Sequence, residues 1–501
     1  MIGFKLTVLF LALLRTGLAQ KLPNVTLPWG KWQAAPYAHD PKASIPSTGR
    51  TQMPNQPGFF HPRSHYGPAC YQIQPKALSN PPGGSHSIQA PRDSLEQSED
   101  CLFFDVYAPA SAFDQNGNPI EKLPVIVWIY GGAYAFGSKD LGGGLPVYTA
   151  IFVAGNYRLG AFGWLAGSYM QDKGQPNAGL YGPAPLLDWV QKYVGQAGGD
   201  ASQVSAWGES AGAGSVLHHL VREVSPGFKT FLAQSPAFEW SWDISPDGTL
   251  DTIYRNFSSH AKCGFRYEIE CLRGARVEDL ERANQQLFDV TASFTPSYVV
   301  SQASFDAFLL AFFPEPSLGS LLRYGGDFRA CVGELIRDST FACNTRQLFD
   351  AFPSVSYMMR YALPADGLAV NATDVIATFM NGYDDAYHML RAKNIGIFEA
   401  ALYAGVLATA IKTEYQSYLS SFAVSGNPNT ASTGSIYWPV VHYMSSGFVS
   451  DQQNTKQTCG LGQEIAWMIR KIGKGSPGGG RVSNEGEPTD EQREGATVGK
   501  D

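Results

Sequence analysis

The chain has 501 residues, of which 44% are hydrophobic and 13% aromatic, so it can fill a large hydrophobic core. Length alone would suggest several domains, but α/β folds often reach this size as one unit. The formal net charge of −7 argues against a nucleic-acid partner, because such partners require clusters of basic residues to neutralise phosphates.

The first residues have the pattern of a secretory signal peptide. Lys5 precedes the apolar run 6–14, and Gly17-Leu18-Ala19 supplies the small residues of a cleavage site. The run is too short to cross a bilayer, and no later segment is apolar for long enough. The sequence therefore predicts a signal peptide over 1–19, no integral membrane segment, and a secreted, extracellular protein.

The cysteines and the glycosylation sequons also fit a secreted protein. Secretion favours disulfides, and an odd number of cysteines leaves at least one thiol free or linked to another chain. The sequons begin at Asn24, Asn256 and Asn371, and we expect each of them in a surface loop. The seven cysteines are Cys70, Cys101, Cys263, Cys271, Cys331, Cys343 and Cys459.

The first half of the chain predicts strands that follow an irregular segment. Residues 40–98 are rich in Pro, Gly and Ser and predict irregular structure near the surface. Leu102–Tyr107 and Thr149–Asn156 predict strands. Leu123–Tyr130 is a continuous β-branched and aromatic run, which is typical of a strand buried on both faces of a parallel sheet.

Helices alternate with these strands. Leu186–Tyr193 has helical spacing, Val204–Trp207 predicts a fourth strand, and Ala213–Arg222 predicts an apolar helix. Alternating strands and helices favour an α/β fold with a parallel sheet of crossover units.

The second half of the chain has a mostly helical pattern. Residues 250–350 are mostly helical in pattern, and Ala400–Val424 predicts another long helical stretch. The segment from Gly473 to Asp501 is rich in glycine and charge, so we predict a disordered tail there. The predicted domain therefore spans residues 20–472.

A short glycine-flanked motif predicts a nucleophile. Gly208-Glu209-Ser210-Ala211-Gly212 fits G-x-S-x-G, in which the glycines permit a sharp strand-to-helix turn that exposes the serine. A β-run precedes the motif and an apolar helix follows it, as this turn requires. Ser210 is therefore the predicted catalytic nucleophile.

A second glycine-rich turn predicts an oxyanion hole. Tyr130-Gly131-Gly132-Ala133 follows the strongest predicted strand. A tetrahedral intermediate needs backbone N–H donors around its oxyanion. We expect Gly132, Ala133 and Ala211 to supply them.

Together with further stretches, these motifs resemble the type-B carboxylesterase and lipase family, the cholinesterase-like branch of the α/β-hydrolases, in its fungal-type secreted form. The resemblance spans about Cys70 to Pro439. The matching stretches are SEDCLFFDVYAP (98–109), VWIYGGAYAFGS (127–138), NYRLGAFGWLAG (156–167), GGDASQVSAWGESAGAGSVLHHL (198–220), CGFRYEIECLR (263–273), SFAVSGNPN (421–429) and YWP (437–439).

This resemblance carries several expectations. It implies an α/β-hydrolase fold, with a central, mostly parallel sheet flanked by helices and a helical region over the site. It implies a serine esterase or lipase that hydrolyses carboxylic esters of small molecules or lipids, with no metal and no organic cofactor. It also implies the disulfides Cys70–Cys101 and Cys263–Cys271. We further pair Cys331 with Cys343, which leaves Cys459 over.

The chain departs from the family where the catalytic histidine is expected. The family's order is serine, then an acid, then histidine in a stretch like L-H-G-x-D. The corresponding segment here places Asn371 at the histidine position, and an amide cannot exchange a proton near neutral pH. The best substitute base is His388, which follows two aspartates, although a solvent-facing histidine is the simpler interpretation.

The family's acid is missing as well. The family carries it in a segment like G-x-N-x-(D/E)-E-G before a stretch resembling FTP, and Phe294-Thr295-Pro296 is present without it. The chain between Arg273 and Phe294 is shorter than the family implies. Asp289 could substitute, but a helix-end or surface charge is the simpler interpretation.

Three interpretations stay open at this point. The first is an active ester hydrolase that uses a different base, or whose written sequence lacks a coding segment. The second is a catalytically impaired, cholinesterase-like protein that binds a ligand or a partner. The third is a weak lipase or acyltransferase with a rearranged base.

Overall fold

The fold is taken from a computed structural model of the chain. It describes residues 23–28, 30–33, 35–36, 44–45, 51–52, 67–73, 96–139, 150–222, 225–237, 244–291, 348, 351–352, 355–359, 373–380, 382–392, 396–408, 412–432 and 437–438. The predicted signal peptide, the tail from Gly473, Asn371, and Cys331, Cys343 and Cys459 lie outside these residues.

The described residues form a six-stranded central sheet in the order β10-β9-β7-β8-β6-β5. Neighbours from β10 to β8 are parallel, whereas β6 and β5 extend the sheet antiparallel. The predicted mostly parallel sheet is therefore confirmed. The strands are β1 (Asn24–Leu27), β2 (Gly30–Gln33), β3 (Ala35–Pro36), β4 (Ser44–Ile45), β5 (Thr51–Gln52), β6 (Phe103–Tyr107), β7 (Leu123–Ile129), β8 (Ile151–Gly155), β9 (Gly199–Glu209) and β10 (Thr230–Gln234).

Helices cover both faces of this sheet, as the α/β-hydrolase resemblance implies. They are α1 (Gly160–Trp164), α2 (Ser168–Lys173), α3 (Pro183–Tyr193), α4 (Ala211–Arg222), α5 (Thr249–His260), α6 (Ile269–Gly274), α7 (Val277–Thr291), α8 (Thr373–Phe379), α9 (Tyr383–Ala392), α10 (Ile397–Val406) and α11 (Lys412–Ser425). Short 3-10 helices span Ala110–Ala112, Ala178–Tyr181 and Val194–Ala197.

The side chains of β7 alternate between two cores, as the period of a strand requires. Val125 and Val127 point toward the core under α3, whereas Ile126 and Trp128 point toward the core under α8. The ring of Trp128 lies 4.7 Å from that of Phe379 in α8. A strand buried on both faces needs a continuous apolar run, which is why 123–130 predicted this position correctly.

Several predicted boundaries were wrong. β9 begins at Gly199, five residues before the predicted strand, because the polar segment 199–203 leads into the ladder with β7. The predicted irregular segment 40–98 contains the two-residue strands β4 and β5, which pair with β3 and β6. Such short strands form through tertiary pairing and leave no periodic signal.

The predicted helical stretch Ala400–Val424 is divided between two helices, α10 and α11. Gly405 lies one residue before the end of α10, and glycine is a poor helix former. The helical pattern predicted from residue 250 onward is confirmed as far as it is described, over α5, α6 and α7.

A separate small core holds α5, α6 and α7 together. Tyr254 and Phe257 are buried in it, and the disulfide Cys263–Cys271 closes the loop between α5 and α6. Lys262 and Arg276 bind the carboxylate of Asp279 in α7. These hydrogen bonds, first that of Lys262, lower the pKa of Asp279 to about 2.

Two sequons do not lie in the surface loops that we predicted. Asn24 is exposed but belongs to the strand β1, which pairs with β2. Asn256 is half-buried within α5, and the hydroxyl residue of its sequon, Ser258, is fully buried. Of all described helices, none has the length and apolar character needed to cross a membrane.

Candidate active site

Ser210 occupies a strained turn between β9 and α4. Its φ of 53° lies in the left-handed region, which side-chain-bearing residues rarely adopt. Three backbone hydrogen bonds hold it there. The Ser210 N–H donates to the carbonyl of Gln234 at 2.9 Å, and the Ser210 carbonyl accepts from Gly214 at 2.9 Å and Ala237 at 3.1 Å. The predicted strand, sharp turn and helix are all present.

The two motif glycines permit the strand and helix to approach each other. A methyl group on Gly208 would lie 2.5 Å from the carbonyl carbon of Gly212. A methyl group on Gly212 would overlap the carbonyl oxygen of Ile129 and lie 2.6 Å from that of Tyr130. Glycine at both positions therefore brings the first turn of α4 against the end of β7.

The glycine-rich turn after β7 lies directly against the serine. A methyl group on Gly131 would lie 3.0 Å from Cβ of Ser210 and 2.6 Å from the carbonyl oxygen of Glu209. Gly132 and Ala133 have φ values of 114° and 53°, and the Gly132 carbonyl accepts hydrogen bonds from Ala135 and Phe136. The structure thus places the turn that contains the predicted oxyanion residues beside the predicted nucleophile, while the donor roles of Gly132, Ala133 and Ala211 stay a prediction.

Buried side chains hold the far end of this turn. Gln72 accepts a hydrogen bond from the Gly137 N–H at 2.6 Å and donates to the carbonyls of Gly137 and Cys70. Asn156 accepts from the Lys139 N–H at 2.9 Å and donates to the carbonyl of Cys101 at 3.0 Å.

The two cysteines whose carbonyls accept these hydrogen bonds, Cys70 and Cys101, form the predicted disulfide, which is confirmed. The segment 131–139, which begins with the predicted oxyanion turn (131–133), is therefore linked to this disulfide through Gly137 and Lys139.

A buried ion pair closes the same region. Lys139 donates to Asp105 of β6 at 2.6 Å, and the exposed fractions of the two side chains are 0% and 9%. Burying two charges is costly unless they are paired and hydrogen-bonded, so each of these residues requires the other. The pair fixes Lys139, at the end of the segment 131–139, to the central sheet.

A polar network ties α8 to the serine turn. The Gln234 amide donates to the hydroxyls of Thr378 at 2.9 Å and Tyr415 at 3.2 Å. The Gln416 amide donates to the carbonyls of Ala377, Thr378 and Met380 at the end of α8. Because the Gln234 carbonyl also accepts from Ser210, this network positions α8 relative to the nucleophile.

His388 is exposed on α9. Ala386 precedes it by two residues, Leu390 follows it by two residues, and both are fully buried. A separation of two residues corresponds to a rotation of about 200° around the helix axis. His388 therefore points away from the core, and its ring lies 5.6 Å from that of Tyr387. Its role as the base stays a prediction.

Two further histidines and one aspartate that the sequence offered lie in α4 and α7. His218 and His219 follow Ser210 along α4, where eight residues span about 12 Å. Burial lowers the pKa of His218. Asp289 falls within the last turn of α7, the helix-end position that the sequence suggested.

One acidic residue of the site escaped the sequence interpretation. Glu209 occupies the variable position of the G-x-S-x-G motif, yet its side chain is only 4% exposed. Its carboxylate lies against Gly131, where a methyl group would overlap Oε2. A charged residue inside an otherwise small and apolar motif was the signal that could have identified it.

Comparison with known proteins decides the family. The sequence model described as "Carboxylesterase family" matches residues 17–320, which is more than half of the chain. The chain belongs to this family. Its fold and its serine motif are those that the resemblance implied.

Similar proteins include fungal lipases and carboxylesterases. A secreted lipase of Arthroderma benhamiae is 31% identical and aligns with 90% of this chain and 94% of its own length. That alignment extends over 535 residues, so the relative has segments that this carboxylesterase-family chain lacks. Carboxylesterase patB of Penicillium expansum is 29% identical over 69% of this chain and 70% of its own length.

Solved structures show the same fold. The crystal structure of Aspergillus niger EstA matches with a TM-score of 0.63 over 90% of this chain and 99% of that one, at 20% sequence identity. A thermophilic PNB esterase matches with a TM-score of 0.58 at 23% identity. At these identities the likeness supports the α/β-hydrolase fold of this family member.

Proposed function

We propose that this carboxylic ester hydrolase acts through an acyl-enzyme formed on Ser210. The observation that carries the proposal is the close approach of Gly131 to Ser210, where a methyl group on the glycine would lie 3.0 Å from Cβ of the serine. A serine in a strained turn beside a turn rich in N–H donors is the arrangement that acyl transfer requires.

The chemistry follows from this geometry. The hydroxyl oxygen of Ser210 attacks the ester carbonyl, and the N–H groups of Gly132, Ala133 and Ala211 stabilise the negative charge that develops on the carbonyl oxygen. The alcohol leaves, and water then hydrolyses the acyl-enzyme. Hydrolysis of this kind needs neither a metal nor an organic cofactor.

The substrate class and the compartment are proposed on independent grounds. The family supports small-molecule or lipid esters as substrates. The signal-peptide pattern of residues 1–19, the two disulfides and the secreted lipase relative support secretion. The alternative of a catalytically silent binding protein has no support from relatives named lipases and carboxylesterases.

A serine-directed probe tests the proposal. The secreted protein is incubated with a fluorophosphonate, and a parallel sample is assayed with a short-chain nitrophenyl ester. We expect turnover of the ester and a single labelled peptide that contains Ser210. A protein that shows neither turnover nor a label on Ser210 would refute the proposal.

The oxyanion turn makes a separate prediction. In Gly132→Ala, the new methyl group would overlap the carbonyl oxygen of Phe136, and alanine would be strained at a φ of 114°. Displacing one or more N–H donors is expected to lower kcat about 10²- to 10³-fold, with a smaller change in KM. Steady-state kinetics with the nitrophenyl ester measure both constants.

Gly195→Ala is the matched control, because a methyl group at Gly195 meets no atom within 4 Å. It should leave kcat unchanged. Equal effects of the two substitutions would contradict the oxyanion role of the 131–133 turn.

The position of Asn371 allows a test of the missing acid. Asn371→His restores the family's histidine, but a triad histidine needs an acid that fixes its tautomer and stabilises its charge. We therefore expect kcat to rise by less than about tenfold, since loss of the acid alone costs on the order of 10⁴ in a complete triad. Asn371→Gln is the control, and a much larger gain with histidine would show that the chain does carry the acid.

A further inference from the structure

The buried carboxylate of Glu209 lies beside the nucleophile, and the mechanism above does not use it. Glu209 ends β9, next to Ser210, and is 4% exposed. A methyl group placed on Gly131 would lie close to atoms of both Glu209 and Ser210. It would overlap Oε2 of Glu209, and it would lie 3.0 Å from Cβ of Ser210. The carboxylate and the serine side chain therefore face the same small space in front of Gly131.

One titratable group that this carboxylate influences is the buried phenol of Tyr157. The charge of Glu209 acts on Tyr157, whose pKa is raised well above its usual value, first by burial and then by Tyr130, Tyr134 and Glu209. The hydroxyl of Tyr157 donates to the carbonyl of Tyr130 at 2.8 Å, and Tyr134 donates to Ala237. Because its pKa is raised, the phenol of Tyr157 is neutral near pH 7, so a titration of the site at neutral or acidic pH would not come from it.

Ser210 needs a group that accepts its proton. Asn371, at the position of the family's histidine, has no proton to exchange near neutral pH. His388 faces solvent on α9. An ionised carboxylate accepts protons, and glutamate serves as a general base in many enzymes when it is within direct reach or one water molecule away.

We propose that Glu209 is the general base of this site and exchanges the Ser210 proton through one solvent water molecule. The inference rests on the proposed function, because it assigns the base for the nucleophile named there. It also explains why an ester hydrolase can keep the serine turn and the oxyanion turn without the family's histidine.

The proposed step conserves atoms and charge. The Ser210 Oγ–H proton passes to the water, and a water proton passes to the Glu209 carboxylate, while Oγ bonds to the ester carbonyl carbon. The C=O electron pair moves onto the oxygen and returns when the C–O bond to the alcohol breaks. Protonated Glu209 then returns its proton, through the water, to the departing alkoxide.

Hydrolysis of the acyl-enzyme repeats the step. The Glu209 carboxylate takes a proton from the water that attacks the acyl carbon. When the tetrahedral intermediate collapses, the bond to Ser210 Oγ breaks and the proton returns to that oxygen. The products are the carboxylic acid and free enzyme.

Glu209→Gln is the decisive variant, because it has the same shape and lacks the basic oxygen. We expect kcat for the nitrophenyl ester to fall about 10²- to 10⁴-fold, and labelling by the fluorophosphonate to slow in parallel. In the wild type, kcat should fall as the pH is lowered and the base becomes protonated. This acid limb of the pH profile should be absent in Glu209→Gln, whereas a merely structural residue would leave it in place.

Two comparison variants separate the outcomes. Glu270→Gln makes the same change at an exposed carboxylate that pairs with Arg273, and should not alter kcat. His388→Ala tests the competing base directly. Loss of activity in His388→Ala, with Glu209→Gln unaffected, would overturn the proposal and establish His388 as the base.

Folding is controlled with a second substitution. If Glu209→Gln does not fold, Glu209→Asp keeps a carboxylate and should retain the acid limb at a lower kcat. An unchanged kcat in folded Glu209→Gln refutes the base role while labelled Ser210 still supports the nucleophile. A wild-type protein with neither label nor turnover refutes the proposed function itself, so the two failures are distinguishable.

Discussion

Ser210→Ala is expected to abolish fluorophosphonate labelling and to lower kcat for a nitrophenyl ester by about 10⁴- to 10⁶-fold. The reason is that the acyl-enzyme forms on this oxygen, and removal of a serine nucleophile eliminates nearly all covalent catalysis. Oxyanion donors and substrate binding remain, so a small rate above that of water should survive. Active-site titration and steady-state kinetics on the same preparation measure the two effects.

The substitution should not unfold the protein. The hydrogen bonds that hold the turn come from the backbone N–H and carbonyl of Ser210, and alanine keeps both. Ser202→Ala is the matched control, since Ser202 is exposed nearer the other end of β9 and should retain labelling and kcat. Turnover that survives in Ser210→Ala would show that catalysis runs through another residue.

Lys139→Met is expected to lower the free energy of unfolding by about 3–5 kcal/mol. The substitution leaves the carboxylate of Asp105 buried without its cation, and an uncompensated buried charge is strongly destabilising. Urea unfolding followed by tryptophan fluorescence measures the change as a lower midpoint. Because Lys139 ends the segment 131–139, which begins with the proposed oxyanion turn, kcat of the remaining folded protein should fall as well.

The ion pair on α2 supplies a control of the same chemistry. Lys173 lies 3.0 Å from Asp172, but the two side chains are 57% and 68% exposed. Lys173→Met should therefore change stability by less than about 1 kcal/mol. Replacing both buried partners, in Lys139→Met with Asp105→Leu, should recover much of the loss. A Lys139→Met variant as stable as Lys173→Met would contradict the burial of the pair.

The central sheet could be predicted where a strand is buried on both faces, because such a strand needs a continuous apolar run. β7 and β8 are apolar on both faces, so continuous runs such as 123–130 identified them without the structure. β4 and β5 could not be predicted, because each has two residues and depends on a distant partner. The early start of β9 was missed for a different reason, because residues 199–203 (GDASQ) lack the apolar pattern of a buried strand.

In the candidate site, too, some residues could be predicted from the sequence and others could not. Ser210 and the turn at 131–133 were predictable because each function needs a glycine-containing turn of recognisable form. Lys139, Asp105 and Gln72 were not, because buried polar residues look like surface residues in a sequence. Glu209 lies in the motif itself, yet only the fold shows that its carboxylate is buried beside Gly131.

The disulfide Cys70–Cys101 makes the segment beside the nucleophile sensitive to reduction. The carbonyls of its two cysteines bind Gln72 and Asn156, the side chains that hold the exit of the oxyanion turn. Reduction keeps both carbonyls but removes the covalent bond that holds Cys70 and Cys101 side by side, so it should loosen the segment that Gln72 and Asn156 hold. The activity of this site should therefore depend on the redox state of its surroundings as well as on the ester that it meets.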